Sequence, residues 1–176
     1  MDTSTSKQSN TDQSMLNTFF LNGLKDTYGA EKQLTKALPE LQNAATSPDL
    51  KAAFEDHLKV TENQIQRLER VFEMIGQQPQ EKKCEGMEGL IKEGQTIMQE
   101  TESGTSTRDA ALIVSAQKVE HYEIAAYGSL RQLAKTMGKP EISELLEQTL
   151  EEEKATDLLL SNLAEMLINE QAKEEM

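Results

Sequence analysis

The sequence is poor in the residues that support disulfide bonds, β-sheets and membrane spans. Its 176 residues include one cysteine, no tryptophan and only 4% aromatic residues. A single cysteine, Cys84, excludes an intrachain disulfide and favours a reducing compartment. Few residues are β-branched, which argues against an extensive sheet. No apolar run approaches the roughly 18 residues of a transmembrane helix. We therefore expect a cytoplasmic, helical protein without a membrane partner.

Positive charge is also scarce. Lysine and arginine number 18 against 31 aspartate and glutamate residues, which gives a formal net charge of -13. Phosphate binding requires a basic face, so this balance argues against a nucleic-acid partner. It equally disfavours an anionic membrane surface. Excess carboxylate is common in soluble proteins, and it is also what a metal site built from carboxylates would require.

Apolar residues recur at spacings of three and four in four long segments. This period predicts helices over 14–44, 48–75, 108–137 and 141–169, with a shorter amphipathic helix over 87–100. Short links join the first two and the last two long helices, so each pair should form an antiparallel hairpin. The connection between the hairpins is long enough to run back along the bundle. The predicted fold is an all-α, ferritin-like four-helix bundle with an additional short helix in the crossover connection.

The chain divides into a bundle and two polar ends. Residues 1–13 are rich in Ser, Thr, Gln and Asn, which predicts a disordered tail. They lack the apolar run of a secretion signal. Residues 14–170 are predicted to form the bundle, and residues 171–176 to be a frayed acidic C-terminus.

Charged side chains stand at positions where the helical pattern calls for apolar ones. On the first helix Glu31 falls in step with Leu24 and Leu38, so it should face inward. Other polar residues fall on the inward stripes of the remaining helices: His57 with Gln64 beside it, Glu120, Glu123, Glu153 and Asp157. Each residue alone has a more ordinary explanation. A glutamate can bury its stem and keep its carboxylate in water, and a buried histidine is most often only hydrogen-bonded.

The coincidence of these residues across helices favours a metal site. Residues equidistant from a hairpin turn lie at one height, so a turn at Ser47 places Glu31 level with Gln64, and His57 two turns away. The second hairpin places Glu123 level with a point close to Glu153. Converging bare carboxylates are too costly in a low-dielectric interior. Oxygen-rich sites suit iron or manganese. We therefore predict a dinuclear iron or manganese centre, although neither expected helix carries the Glu-x-x-His pair that is usual in ferritin-like sites.

Three stretches resemble the YciE/YciF family of ferritin-like bacterial proteins: TYGAEKQL, LIVSAQKVEHYEIAAYGSL and LLEQTLEEEKATD. The segment CEGMEGLI resembles the YciF branch more closely. This resemblance spans about residues 15–169 and implies a bundle that is commonly dimeric, holds a dinuclear metal site and is linked to stress responses. By position it implies a set of metal ligands: Glu31, Glu120, Glu123 and Glu153, followed by His57, Gln64 and Asp157. The pair Glu120 and Glu123 also resembles the extra-glutamate arrangement of rubrerythrins.

Two functions from different classes are compatible with these patterns. The first is a metal-binding stress-response protein with oxidase or peroxide-handling activity, in which Tyr127 is a donor outside the ligand set. The second is a structural or partner-binding bundle with a degenerate metal site, which the missing Glu-x-x-His pairs favour. Metal ions and a second copy of the chain are the partners expected in the first case. The patterns leave open whether the protein is an enzyme.

Overall fold

The computed structural model describes residues 14–175, which are helical apart from short connections. The helices are α1 Met15–Ala44, α2 Pro48–Met74, α3 Glu85–Glu100, α4 Ser106–Thr136 and α5 Pro140–Leu163, followed by a π-helical turn, Ala164–Ile168, and α6 Asn169–Lys173. This confirms the predicted all-α bundle. The predicted tail, residues 1–13, lies outside the described residues. Between residues 14 and 175, no helix combines the length and apolar character that a bilayer crossing requires.

The helix ends follow local sequence signals. Ser47 caps α2, because its Oγ accepts a hydrogen bond from the Leu50 amide, and proline occupies the first turn. Gly76 and Gly138 end α2 and α4 with φ values of 69° and 71°. Glycine adopts this left-handed conformation without the cost that a Cβ imposes. Gly76 therefore ends the first hairpin, and Gly138 lies in the turn that reverses the chain between α4 and α5.

Two apolar clusters form the core, with a polar layer between them. Helices α1 and α2 pack as one hairpin and α4 and α5 as the other, and α3 packs on α4 and α1. The first cluster contains Leu34, Leu38, Leu50, Phe54, Leu112 and Ile113. The second contains Phe20, Leu24, Leu68, Phe72, Leu130 and Leu146. On each of the four long helices, buried polar residues lie in sequence between the members of these clusters. The fold therefore places one polar layer across the middle of the bundle.

The crossover segment before α3 packs directly on α1. The Lys82 amide donates a hydrogen bond of 2.9 Å to the Lys25 carbonyl oxygen. A Cβ on Gly29 would lie 1.9 Å from the Lys82 carbonyl oxygen, so only glycine permits this approach. Cys84 is fully buried and caps α3, and its Sγ lies 2.9 Å from the Tyr122 hydroxyl. The crossover thus closes one side of the bundle.

Two carboxylates tie distant parts of the chain to helix starts. Asp109, which is 2% exposed, accepts 2.7 Å hydrogen bonds from the amides of Thr46 and Ser47. Glu175 accepts hydrogen bonds of 2.6 and 2.9 Å from the amides of Ser106 and Thr107 at the start of α4.

The last helix extends beyond the predicted bundle boundary at residue 170, because α6 runs to Lys173.

Candidate metal centre

Four residues of the polar layer converge on one point. His57, Glu120, Glu123 and Glu153 each offer a ligand atom, and these atoms all lie within 4.8 Å of one another. Each residue is at most 4% exposed. The His57 Nδ1 atom lies 3.4 Å from Glu120 Oε1, and its Nε2 atom lies 3.9 Å from Glu153 Oε2. The histidine comes from α2 and the three carboxylates from α4 and α5, so both hairpins contribute to this four-residue group.

The position of His57 corrects the estimate made from the sequence. The expectation that His57 lies two turns from the polar layer was wrong. Helix α1 ends at Ala44 and α2 begins at Pro48, so the midpoint of the turn is residue 46 rather than 47. Glu31 is then level with residue 61, and His57 is only about 6 Å away along the axis. The polar layer also spans more than one height along the bundle axis, and His57 contacts it at Glu120.

Glu31 borders the four-residue group from α1. It is fully buried, and its Oε1 accepts a hydrogen bond from the Tyr127 hydroxyl, which is itself fully buried. Its other oxygen, Oε2, has no hydrogen-bond partner in the part of the chain that the structure describes. The Glu31 carboxylate is close enough to Glu123 and Glu153 to affect their charge states. It therefore presents one unengaged oxygen beside the group.

Gln64 borders the group from α2 and is held by a charged network. Its Nε2 donates hydrogen bonds of 2.6 Å to Glu153 Oε1 and 3.2 Å to Glu152 Oε2. Arg67 binds both oxygens of Glu152 at 2.8 Å and donates to Thr149 at 2.6 Å. Arg67 was not among the predicted site residues, although its position three residues after Gln64 places it on the same face of α2.

Asp157 lies at the edge of the site rather than in it. Its Oδ1 accepts a hydrogen bond of 3.1 Å from Gln117 Nε2 and lies 3.5 Å from His121 Nε2. The Asp157 side chain is 23% exposed. Of the seven predicted ligands, the structure brings four into one group, places Glu31 and Gln64 against it, and leaves Asp157 facing the surface.

Burial dominates the electrostatics of the group. It raises the pKa of Glu120 and Glu123 well above the ordinary value, and their neighbours Glu153 and Glu31 raise it further. Burial also raises the pKa of Glu153 to about 7 and lowers that of His57 to about 4. Without a bound cation, these residues favour their uncharged forms.

The unpartnered atoms of the group fit a metal ion. Within residues 14–175, no hydrogen-bond partner is present for a set of buried atoms: both oxygens of Glu120, Oε1 of Glu123, Oε2 of Glu153 and Nε2 of His57. Buried polar atoms rarely lack a partner, and a cluster of such atoms requires an explanation. One imidazole nitrogen and several carboxylate oxygens form a donor set that suits iron or manganese. A bound ion would engage these atoms and offset the cost of their burial.

A known protein family matches nearly all of the residues that the structure describes. The matching family model covers residues 15–173 and is described as a domain of unknown function, DUF892. The chain belongs to the DUF892 family. Protein YciF of Escherichia coli strain K12 is 48% identical over 155 residues, which cover 88% of this chain and 93% of YciF. This match confirms the resemblance to the YciF branch of the YciE/YciF family.

Solved structures support the same assignment. The crystal structure of the E. coli stress protein YciF superposes with a TM-score of 0.83 at 43% identity, covering 93% of this chain and 100% of YciF. YcfI of Rhodopseudomonas palustris, which carries a provisional description as a structural protein, superposes with a TM-score of 0.82 at 41% identity. This match covers 85% of this chain and 95% of YcfI. A Xanthomonas campestris protein superposes with a TM-score of 0.70 at 20% identity, covering 91% of this chain and 97% of its own. At this identity the match supports the fold alone.

Proposed function

We propose that this protein is a stress-response protein that binds a dinuclear iron or manganese centre in the core of the bundle. The observation that carries the proposal is the convergence of unpartnered buried atoms from His57, Glu120, Glu123 and Glu153. The relative YciF is described as a stress protein, which supports the physiological part. We further propose that it acts in the cytoplasm as a homodimer, as the family resemblance and the single buried cysteine suggest.

The residues divide into two ligand sets. His57, Glu120, Glu123 and Glu153 would hold the first ion. The unengaged oxygen of Glu31 would contribute to the site of the second. The second set has no histidine, so the two positions differ in donor type. We expect the ion nearer His57 to bind more tightly.

The surrounding residues prepare this site for redox chemistry. A dinuclear iron or manganese centre supplies electrons for the reduction of dioxygen or peroxide, and an oxidase or peroxide-handling activity is the proposed outcome. The Tyr127 hydroxyl holds Glu31 in place through its proton, and Gln64 orients Glu153. The apolar clusters on both sides exclude bulk water from the carboxylates. Outer partners of this kind fix the direction of metal ligands.

Metal loading tests the proposal. The purified protein is loaded anaerobically with Fe(II) or Mn(II), and the metal content is measured by plasma mass spectrometry. We expect about two ions per chain in the wild type, and fewer in Glu120→Gln. Glu151→Gln is the matched control, because Glu151 is an exposed glutamate on α5 paired with Lys154. Fewer than about one ion per chain in the wild type would overturn the proposal. Size-exclusion chromatography tests the dimer separately.

A structural or partner-binding bundle with a degenerate site is the second candidate. The missing second histidine and the provisional description of YcfI favour it. Glu120→Gln separates the two functions through thermal stability. In a degenerate site the variant melts higher, because it relieves repulsion between buried carboxylates, and added metal has no effect. In a metal site, added metal raises the melting temperature of the wild type more than that of the variant.

A further inference from the structure

The candidate metal centre is enclosed by residues 14–175. Each residue of the four-residue group is at most 4% exposed, so an ion that enters the group passes its more exposed neighbours. Two carboxylates on α5 stand at the border of the group. The Glu152 side chain is 36% exposed and faces α2, and the Asp157 side chain is 23% exposed and faces α4.

The Glu152 side is closed to cations. Both Glu152 oxygens accept hydrogen bonds from Arg67, and one of them also accepts from Gln64. A divalent ion arriving here would have to displace the guanidinium from a bidentate pair, which is a strong form of ion pair. The positive charge of Arg67 also repels the ion during its approach.

The Asp157 side is open to cations. Among residues 14–175, neither lysine nor arginine forms an ion pair with Asp157; the imidazole beside it is that of His121, whose Nε2 lies 3.5 Å from Asp157 Oδ1. The His121 side chain is 70% exposed, so the two side chains offer a nitrogen and an oxygen donor at the surface. Imidazole and carboxylate together suit first-row divalent metals.

Asp157 and His121 also adjoin the buried ligands. Asp157 lies one helical turn after Glu153 on the same face of α5, and His121 follows Glu120 directly on α4. No donor from residues 14–175 reaches either oxygen of Glu120, so both oxygens can accept a cation. Burial and Glu153 raise the pKa of Glu120, and Asp157 raises it further, which places the two carboxylates within electrostatic reach.

We propose that His121 and Asp157 form an outer site that captures a divalent transition-metal ion and passes it through Glu120 to the buried group. This inference rests on the proposed metal function and assigns Asp157 to metal uptake rather than to final ligation. The ion exchanges water for the outer donors and then the outer donors for Glu120, which releases its proton to water as the ion binds. No electron transfer is required. Uptake speed and final occupancy are therefore controlled by different residues.

Rapid-mixing measurements with Co(II) alone test the inference. The visible absorbance of bound Co(II) gives the rate of filling, the final number of ions and the ligand environment, all at one pH. We expect Asp157→Asn and His121→Gln to slow filling by about 10-fold or more, within the range that local charge affects association rates. The final stoichiometry and spectrum should equal those of the wild type. Glu147→Gln is the control, because Glu147 is a half-exposed acid on α5 that pairs with Arg131 across the same two helices.

Three results would overturn the inference, and they differ from one another. Wild-type filling rates in both outer-site variants would show that ions enter elsewhere, with the metal function intact. A reduced number of ions or an altered spectrum in Asp157→Asn would make Asp157 a final ligand. Wild-type protein that binds no Co(II), Fe(II) or Mn(II) would remove the proposed function itself. Equal circular dichroism of all variants shows that each has folded.

Discussion

Gln64 Nε2 lies 2.6 Å from Glu153 Oε1, so a neutral donor of the first hairpin holds a buried carboxylate of the second. The same amide group donates to Glu152, and Arg67 binds both oxygens of Glu152. Arg67 therefore supports Glu153 through two intermediate side chains, the carboxylate of Glu152 and the amide of Gln64. Such outer partners are often needed for full metal affinity.

Arg67→Met should weaken metal binding without removing a ligand. The variant keeps a long side chain but frees Glu152, which can then draw Gln64 away from Glu153. We expect the affinity for Mn(II) to fall about 10- to 100-fold, as measured by competition with a chelator. Arg131→Met is the control, since Arg131 pairs with Glu147 in a surface ion pair between α4 and α5. Equal affinity in the wild type and Arg67→Met would show that this network does not position Glu153.

The metal-free protein should lose stability as pH rises above neutrality. Burial raises the pKa of Glu120 and Glu123, and that of Glu153 to about 7. The folded state thus holds protons that the unfolded state releases above about pH 4.5, and the resulting stabilisation is lost as pH rises through the folded pKa values. His57 has the opposite effect on the pH dependence of stability. Burial lowers its pKa to about 4, so its contribution to the stability of the folded state is present above pH 6.5 and is lost at lower pH.

Between pH 6.5 and 8, deprotonation of the buried carboxyl groups lowers the stability, whereas the contribution of His57 stays constant. In chelator-treated protein we expect the melting temperature to fall by several degrees over this interval, where about 1 kcal/mol corresponds to roughly 2–4 °C. Metal-loaded protein should change less, because the ion replaces the protons. Calorimetry of both forms measures the difference. A melting temperature that rises with pH in the metal-free form would contradict the assignment of Glu120, Glu123 and Glu153 as buried neutral acids.

Gly29→Ala should displace the crossover segment. The new Cβ would lie 1.9 Å from the Lys82 carbonyl oxygen, so the backbone must move at a cost of about 1–3 kcal/mol. We expect a lower melting temperature and faster reaction of the buried Cys84 thiol with a disulfide reagent. Gly89→Ala is a matched control on α3, where a Cβ meets nothing within 4 Å. It should be neutral or stabilising, and its Cys84 should stay protected. Equal thiol protection in both variants would refute the close contact.

Asp109→Ala should loosen the turn between α1 and α2. The substitution leaves the amides of Thr46 and Ser47 without their carboxylate partner. Charge-assisted hydrogen bonds of this kind contribute on the order of 2 kcal/mol, which corresponds to roughly 4–8 °C in melting temperature for a chain of this length. Asp56→Ala, which removes an exposed carboxylate of α2 paired with Lys59, serves as control. A decrease in melting temperature no larger than that of the control would show that the hydrogen bonds of Asp109 contribute little to stability.

The helical period predicted more of the fold than of the site. Steps of three and four residues placed Glu31, Glu120, Glu123 and Glu153 on inward faces, and the structure buries all four. Their role as ligands remains a prediction. Not every apolar residue of α4 faces inward, since Val114 is 52% exposed. Ile113 and Val114 are neighbours about 100° apart on the helix, so one of them must leave the stripe.

Neither the exact level of residues within a hairpin nor the contacts between the hairpins could be predicted from spacing. The level of His57 depends on the midpoint of a turn, and an error of one residue there moves the opposing helix by about 3 Å. The contact between Arg67 and Glu152 depends on how α2 packs against α5. No turn connects these two helices, and only side-chain packing fixes their register.

The four-residue group joins chain positions that are far apart in synthesis. His57 belongs to the first hairpin, whereas Glu120, Glu123 and Glu153 belong to the second. Neither hairpin alone contains the group, and a nascent chain lacks it until α5 has left the ribosome and docked. Proteolytic fragments that separate the hairpins lack it as well. Metal capture by this group would therefore distinguish finished molecules from partial ones, and newly made protein would depend on the metal supply at the moment when folding ends.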